Sequence, residues 1–583
     1  MNNKTKIVIL GAGYAGVVAG RKLSKLFKKN PDVEISLIDK NDSHVLLTEL
    51  HEVAGNRIDP DGIKVSLEKC FRYTGVKIIR DRIENIDFDN KKLEGKKIYE
   101  YDYLILATGS EPAFFGIKGM EDNSFTLWSF EDALRIKQQI LDMFQGARYE
   151  KDPNIRQEML TFVVGGGGFT GVEMMGELME WVNRLCKQYD IDRNEVKLYL
   201  VEGLPTILPV LSNVSIKKAE NFMKKNGVEL INSAFITSVS PNVITLKSDN
   251  KDSSIQTRTL IWTGGVQGNQ FVIKQGIKPG KKGRALVNDY LEIEDKDKVY
   301  AIGDIAYHED KDGNMMPALV ESAMQSGETA AHNVKVAIMG GEKKPLEINL
   351  HGNMVSIGAI YSVAEVMGRK FSGVISTILK HLVNMHYLWE IGGAVLIWDY
   401  IIDQFVKADN GINIFWDHLK RRSQTFWILP LRLYLGFEWL RSGLDKINLG
   451  WLGNDYALIG GTGTGADAEA TATIMSLVSN HTPGWYAWIV DTIIIPNAFI
   501  FQKLIVATEI GLGLAFLSGT FTFIAAIVSI GMNINFILST GLNDYWFLAS
   551  SIPMLGGAGR VFGLDHYLLP ALNRWAQRIS RKE

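Results

Sequence analysis

Cysteine is almost absent from this chain. Cys70 and Cys186 are the only two among 583 residues, and they lie far apart. Isolated thiols exclude a disulfide framework, a thiolate zinc site and a CxxC redox pair. They fit a reducing, cytosol-facing compartment, and each is expected to be a small core residue. No His/Asp/Glu cluster has metal-ligand spacing, so no metal is expected. An excess of one charge is also missing: 63 basic and 65 acidic residues leave a net charge of −2. With neither a basic tract nor an RNA-reading aromatic motif, nucleic acid is not expected as a partner. The opening MNNKTKIVIL lacks the longer apolar core and cleavage site of a signal peptide and runs straight into a strand.

Long apolar runs are scarce up to about Lys344, where charges alternate with β-branched stretches as in a soluble α/β protein. After Lys420-Arg421-Arg422 they become abundant and rich in Trp, Phe, Leu and Ile. A chain of this length exceeds one hydrophobic core, and roughly three or four domains are expected.

Lys6 to Leu10 is a short β-branched run that predicts a buried parallel strand. Gly11-Ala12-Gly13-Tyr14-Ala15-Gly16 follows at once, then the helical pattern VVAGRKLSKLF. The first glycine permits a tight turn, the second lets a pyrophosphate approach the backbone, and the third lets helix pack on strand. The helix start then offers free N–H groups and a positive dipole end to phosphate. A second strand, Val33 to Ile38, ends in Asp39, 23 residues after Gly16, where an acid can bond a ribose diol. The arrangement predicts a dinucleotide site.

The pattern recurs. Leu160 to Val164 reads as a strand, and Gly166, Gly168 and Gly171 take the fingerprint positions around Phe169 and Thr170. A helix VEMMGELMEWVNRL follows, and then a strand, Val196 to Val201, that ends in Glu202, 31 residues after Gly171. Glu202 would bond a 2′-hydroxyl and repel a 2′-phosphate, which predicts NADH over NADPH.

The segments between these sites resemble the pyridine nucleotide-dependent flavoproteins. Tyr103-Leu104-Ile105-Leu106-Ala107-Thr108-Gly109 looks like that family's ATG signature. Val299-Tyr300-Ala301-Ile302-Gly303-Asp304 looks like its late FAD motif, whose aspartate binds the ribityl chain. The resemblance implies non-covalent FAD at the first site, reached also by Lys40, Thr48, Ile83, Val320 and Glu321, and NADH at the second. Ile261-Trp262-Thr263-Gly264-Gly265-Val266, Phe169-Thr170-Gly171-Val172-Glu173 and Val363-Ala364-Glu365-Val366 are similar to type II NADH dehydrogenases, a resemblance spanning roughly residues 5 to 390. Disulfide reductases and sulfide:quinone oxidoreductases use cysteines that Cys70 and Cys186 do not match.

One stretch departs from the pattern. Type II enzymes carry an AQxAxQxG-like segment on the quinone side of the flavin. Here it is Val320-Glu321-Ser322-Ala323-Met324-Gln325-Ser326-Gly327, in which Gln325 and Gly327 persist but Glu321 stands where glutamine is expected. The departure bears on the identity or position of the quinone, taken to be of menaquinone type. A helix starting after Pro317 is expected to aim the N–H groups of Val320 and Glu321 at negative charge on the reduced flavin. Glu173, Glu321 and Gln325 are the catalytic candidates. Glu173 would orient the nicotinamide or relay a proton, or else be only a helix-terminal acid. His44, His51 and His386 are read first as structural histidines.

Phe371 to Leu388 reads as an amphipathic helix whose Lys380 and His381 suit a membrane interface. A core or dimer helix is the alternative, and residues 388 to 406 remain open. Four spans follow: Thr425 to Leu444, Asn497 to Leu517, Thr520 to Leu538 and Asp544 to Val561, each near the roughly 20 residues that cross a bilayer. Basic residues before the first span and after the last, against a 445 to 496 loop with one lysine, predict both ends inside and the flavin facing the cytoplasm. Residues 425 to 565 look like the DoxX family of four-helix membrane proteins. Arg432, Glu438, Arg441, Lys503 and Glu509 are expected to pair in the bundle interior, as a structural lock or around a quinone headgroup.

The fold class expected is therefore an α/β, two-dinucleotide-binding-domain (Rossmann-like) flavoprotein plus an all-α transmembrane four-helix bundle. The FAD domain takes 1 to 120 and 275 to 340, the NADH domain 155 to 270, a membrane-surface or dimerisation region 341 to 407, and the membrane domain 408 to 583. The expected activity is non-pumping NADH:quinone oxidoreduction at the cell membrane, by a homodimer bound to the lipid bilayer. Two alternatives stay open: delivery of electrons through the bundle to a separate quinone pool or extracellular acceptors, and a redox-sensing flavoprotein docked to membrane partners.

Overall fold

The computed structural model describes residues 4–248, 251–406, 428–453, 482–540 and 545–571. The chain divides into two compact units, Met1–Trp416 and Asp417–Glu583.

The first unit opens with β1 (Thr5–Leu10), α1 (Tyr14–Leu26) and β2 (Val33–Asp39), then α2 (Leu50–Ala54), β3 (Lys77–Arg80) and β4 (Tyr103–Leu106). The chain then leaves to build a second layer: β5 (Phe125–Thr126), β6 (Thr161–Gly165), α3 (Phe169–Tyr189), β7 (Lys197–Val201), β8 (Val228–Ile231) and β9 (Thr259–Trp262). It returns with β10 (Val299–Ala301) and α4 (Val320–Met339). The sheets have matching parallel orders, β10-β4-β1-β2-β3 and β5-β9-β6-β7-β8. Register runs Ile7↔Ile35 and Ile9↔Ile105 in the first, Val163↔Tyr199 and Val164↔Ile261 in the second. Ile7, Ile9, Leu37 and Leu104 to Leu106 are fully buried, as a sheet covered on both faces requires.

A three-stranded antiparallel sheet follows, β11 (Gly352–Ser356), β12 (Ser362–Val366) and β13 (Arg369–Ser372), then α5 (Val374–Gly392) and α6 (Ala394–Ile401). Here the sequence expectation needs correction. The helix begins at Val374, because Phe371 and Ser372 belong to β13 and Gly373 takes φ +76°. The apolar stripe faces outward as an interfacial helix requires, but Lys380 does not lie at that surface. Lys380 is 7% exposed, while Ile375, Ile378, Leu382 and Trp389 stand on one outward stripe at 53–67%. Periodicity marks two faces but does not say which one a buried carboxylate will claim.

In the second unit α7 (Ile428–Asn448), α8 (Ala498–Ser518), α9 (Thr522–Thr540) and α10 (Tyr545–Ser551) are helical. Gly436, Gly443 and Gly513 let α7 and α8 touch: a Cβ at any of them would come within 2.6–2.9 Å of the facing helix. Gly484–Ser518 and Thr522–Ser539 are long and apolar enough to cross a membrane. The fourth expected span is not continuous. It breaks after α10 into short 3-10 turns, where Pro553 removes an N–H and Gly557 takes φ +81°. Asp445 and Lys446, assigned above to a loop, lie within α7. The flanking Lys420, Arg421 and Arg422, and the C-terminal basic residues from Arg574 on, fall outside the described residues.

Candidate functional site

The two glycine turns are built alike. Gly11 has φ +112°, and a Cβ there would lie 2.3 Å from the Ala107 carbonyl oxygen. A Cβ on Gly16 would lie 2.0 Å from the Gly11 oxygen, so α1 can sit on its own turn only with glycine. In the second turn Gly166 has φ +109°, and a Cβ on Gly171 would lie 1.8 Å from the Gly166 oxygen. Gly13 and Gly168 meet nothing within 4 Å, which leaves an open cradle at the start of each helix. Neither α1 nor α3 has a side-chain cap, so their first N–H groups stay free for an anion. Asp39 accepts from the N–H of Ala12 and of Asn41, both at 2.7 Å. Glu202 does the same for Gly167 and for Leu204, the latter at 2.8 Å.

The first turn and the start of α3, just past the second turn, border one cavity of about 2940 Å³. Gly11 to Ala15, Asp39, Lys40, Thr48, Ile83, Ala107 to Gly109, Gly303 and Asp304 line it from the first sheet. Phe169, Thr170, Glu173 and Gly265 line it from the second, and Val320, Glu321 and Gln325 from α4. Gly16, Gly166, Gly168, Gly171, Glu202 and Gly264 shape the turns beside it. Gly264 lies against Trp262, whose ring N–H donates to Ala113 at 2.9 Å. The residues fit an adenine dinucleotide of flavin. The Thr108 hydroxyl is buried with no protein partner, and α4, preceded by Leu319, has no side-chain cap at its start. Asp304 is held by Ser110 at 2.8 Å, and burial raises its carboxyl above the usual range.

A buried charge network that motif reading did not find lies against this cavity. Lys380 reaches Glu52 at 2.6 Å and Glu49 at 3.0 Å. Arg57 reaches Glu52 at 2.5 Å and Glu177 at 2.9 Å. His51 touches Ser356 at 3.2 Å and Glu173 at 3.6 Å. Glu173 is not a helix-terminal acid: it stands one turn inside α3, beside His51 and Ser356. Burial lifts its pKa to about 7, opposed by Lys380 and Ser356, and lifts Glu177 to about 8, opposed by Arg57. His44 is buried between Ala12 and Tyr387, at 2.9 and 2.8 Å, and burial lowers its pKa to about 4. It is a structural ligand of the turn. His386 lines the cavity.

On α4, Gln325 exchanges two hydrogen bonds with the backbone of Asn349, at 2.7 and 2.9 Å, and Glu321 accepts from the ring and the backbone N–H of His351. Both candidates thus grip the segment that leads into β11. Among the described residues, those singled out in the membrane unit fall into separate groups. Arg432 donates to the carbonyls of Ala558 and Val561 at 2.9 and 2.8 Å, and so ties down the broken fourth run. Glu509 pairs with Lys446 at 2.8 Å and with Ser442. Arg441 turns to Asp445, Lys503 is exposed, and Glu438 is half-buried. Hydropathy located the helices but carried no information on their rotation.

The family profile for pyridine nucleotide-disulphide oxidoreductases matches residues 5–327. The type II NADH:quinone oxidoreductase of Staphylococcus haemolyticus is 32% identical over 396 residues, covering 68% of this chain and 98% of that protein. The Staphylococcus aureus enzyme is 31% identical, covering 67% and 97%. Among solved structures, NDH2 of Plasmodium falciparum in complex with NADH is similar in fold, with a TM-score of 0.62, 17% identity and coverage of 69% and 97%. The sulfide:quinone oxidoreductase of Aquifex aeolicus gives 0.55, with 18% identity and coverage of 68% and 92%. With relatives matched along nearly their whole length, this chain belongs to the type II NADH:quinone oxidoreductases within the pyridine nucleotide-disulphide oxidoreductase family.

Proposed function

We propose that the protein oxidises NADH through non-covalently bound FAD and reduces a membrane quinone without pumping protons. The observation that carries this reading is a single cavity bordered by the first glycine turn and by the uncapped starts of α1, α3 and α4. FAD, when bound, accepts the two electrons of NADH and releases them to the quinone. Gly13 and the α1 N–H groups would hold its pyrophosphate, Asp39 its ribose, Asp304 and Thr108 its ribityl side, and the N–H groups of Val320 and Glu321 the negative end of its ring. Gly168, with the α3 N–H groups, and Glu202 would hold NADH. Glu173 would then pass a proton between the reacting rings and the protein.

We further read residues 1 to 120 and 275 to 340 as the FAD domain, 155 to 270 as the NADH domain and 341 to 407 as a membrane-surface region. The outward Ile375, Ile378, Leu382 and Trp389 support contact with lipid or with a second subunit. Residues 408 to 583 are read as a DoxX-like membrane domain that sets the flavoprotein on the cytoplasmic side, with menaquinone as the acceptor.

Overpacking a closed turn costs about 1–3 kcal/mol, so Gly16→Val is expected to purify with roughly tenfold less flavin per protein by absorbance. The reading itself is tested by anaerobic titration of the detergent-purified protein. NADH should bleach the visible flavin band and a soluble menaquinone analogue should restore it. A flavin that stays oxidised with NADH present would overturn the reading.

A further inference from the structure

Quinol formation balances as NADH, one proton and quinone giving NAD⁺ and quinol. NADH brings both electrons and one hydrogen, so one proton per turnover must enter from water. The start of α4 holds a pair suited to deliver it. Glu321 lines the main cavity and is one-third exposed. Its carboxylate accepts from His351 twice, from the ring Nδ1 and from the backbone N–H at 3.1 Å. His351 lines both the main cavity and a smaller one of about 480 Å³ beside it, and its side chain is 65% exposed. The Gln325–Asn349 bonds fix the segment, so the ring is held against the carboxylate.

We propose that Glu321 and His351 form a proton-donating pair for the quinone. This rests on the reading of the cavity given above. Glu321 donates to a quinone oxygen and takes a replacement proton from His351, whose exposed ring is recharged by water. The hydrogen that arrives with NADH passes out through Glu173 as the other proton, so one proton is drawn from the medium per quinol. Charged groups on the elements that meet the pair are already engaged or lie to one side. Glu328 on α4 is paired with Lys22 at 3.3 Å, and Glu365 is held by Ser212 and Ser215. Lys370 lines the smaller cavity, and Glu347 precedes the segment. An amide at position 321 could bind a quinone but not protonate it, so the glutamate is the informative difference.

The test uses the full-length holoenzyme and the variants Glu321→Gln and His351→Ala, with menadione as the quinone. FAD content and the infrared carboxyl bands of the resting protein check that each variant is folded. Those bands should lose one component in Glu321→Gln and shift in His351→Ala. Single-turnover reoxidation of the NADH-reduced protein should slow roughly tenfold in His351→Ala. Added imidazole should restore the rate in His351→Ala and leave Glu321→Gln unchanged. Reoxidation of His351→Ala at the wild-type rate, or a loss that imidazole does not rescue, would overturn the pair. If menadione fails to reoxidise the wild type, the quinone reading falls and this proposal with it.

Discussion

Replacing Arg57 with methionine is expected to destabilise the flavoprotein unit by about 3–5 kcal/mol, the usual cost of stripping one partner from a buried ion pair. Arg57 is 7% exposed and bridges Glu52 and Glu177, which are 0% and 2% exposed. Its loss leaves Glu177 buried without its cation, while Glu52 keeps Lys380. The measurement is the midpoint of thermal flavin release. Its pH dependence has a defined sign. Burial already raises Glu177 to about 8, and removing the cation raises it further. A carboxyl raised in the folded state contributes stability below its unfolded pKa and loses it as pH rises through the folded value. The part of the Arg57→Met deficit carried by Glu177 should therefore be flat up to about pH 8 and grow above it, where the wild-type carboxyl ionises beside Arg57 and the variant's does not. The double variant Arg57→Met, Glu177→Met should recover much of the loss, because an apolar pair of similar size tolerates burial. Equal midpoints for the wild type and Arg57→Met would show that the bridge contributes nothing.

Glu173→Gln should slow the quinone half-reaction about a hundredfold, within the range for a positioned general acid. The argument rests on Glu173 standing between His51, Ser356 and the cavity, with burial holding its carboxyl near pH 7. A donor must carry its proton. In the wild type the reoxidation rate should accordingly fall as pH rises through about 7, and in Glu173→Gln this limb should vanish. The amide keeps the side chain's size, so a structural role alone would leave the pH profile in place. Stopped-flow reoxidation across pH 5 to 9 separates the two.

The glycine turns were legible in sequence because each glycine's task is local: a turn, an open face and a close helix contact, all within six residues. The strands and acids that flank them follow the same short logic. The buried network was not legible, since Lys380 meets Glu52 across 328 positions and no spacing rule connects them. For the same reason Lys380 was expected at a membrane surface. The stripe Ile375, Ile378 and Leu382 was visible, but which side faced outward was settled by the buried carboxylates of α2. In the second unit the helices followed hydropathy, while Pro553 and Gly557, which break the fourth run, were outweighed by the apolar residues around them. Arg432 and Glu509 were singled out as ionisable residues within spans. Their partners, the carbonyls near Ala558 and the Lys446 ammonium, depend on helix rotation.

The most direct test of the account uses the full-length protein in vesicles that contain a menaquinone, kept anaerobic, with NADH added outside. The account predicts one quinol formed per NADH consumed, full reoxidation of the flavin while quinone remains, and no acidification of the vesicle lumen. NADH consumption with a flavin that stays reduced and a quinone pool that stays oxidised would contradict it.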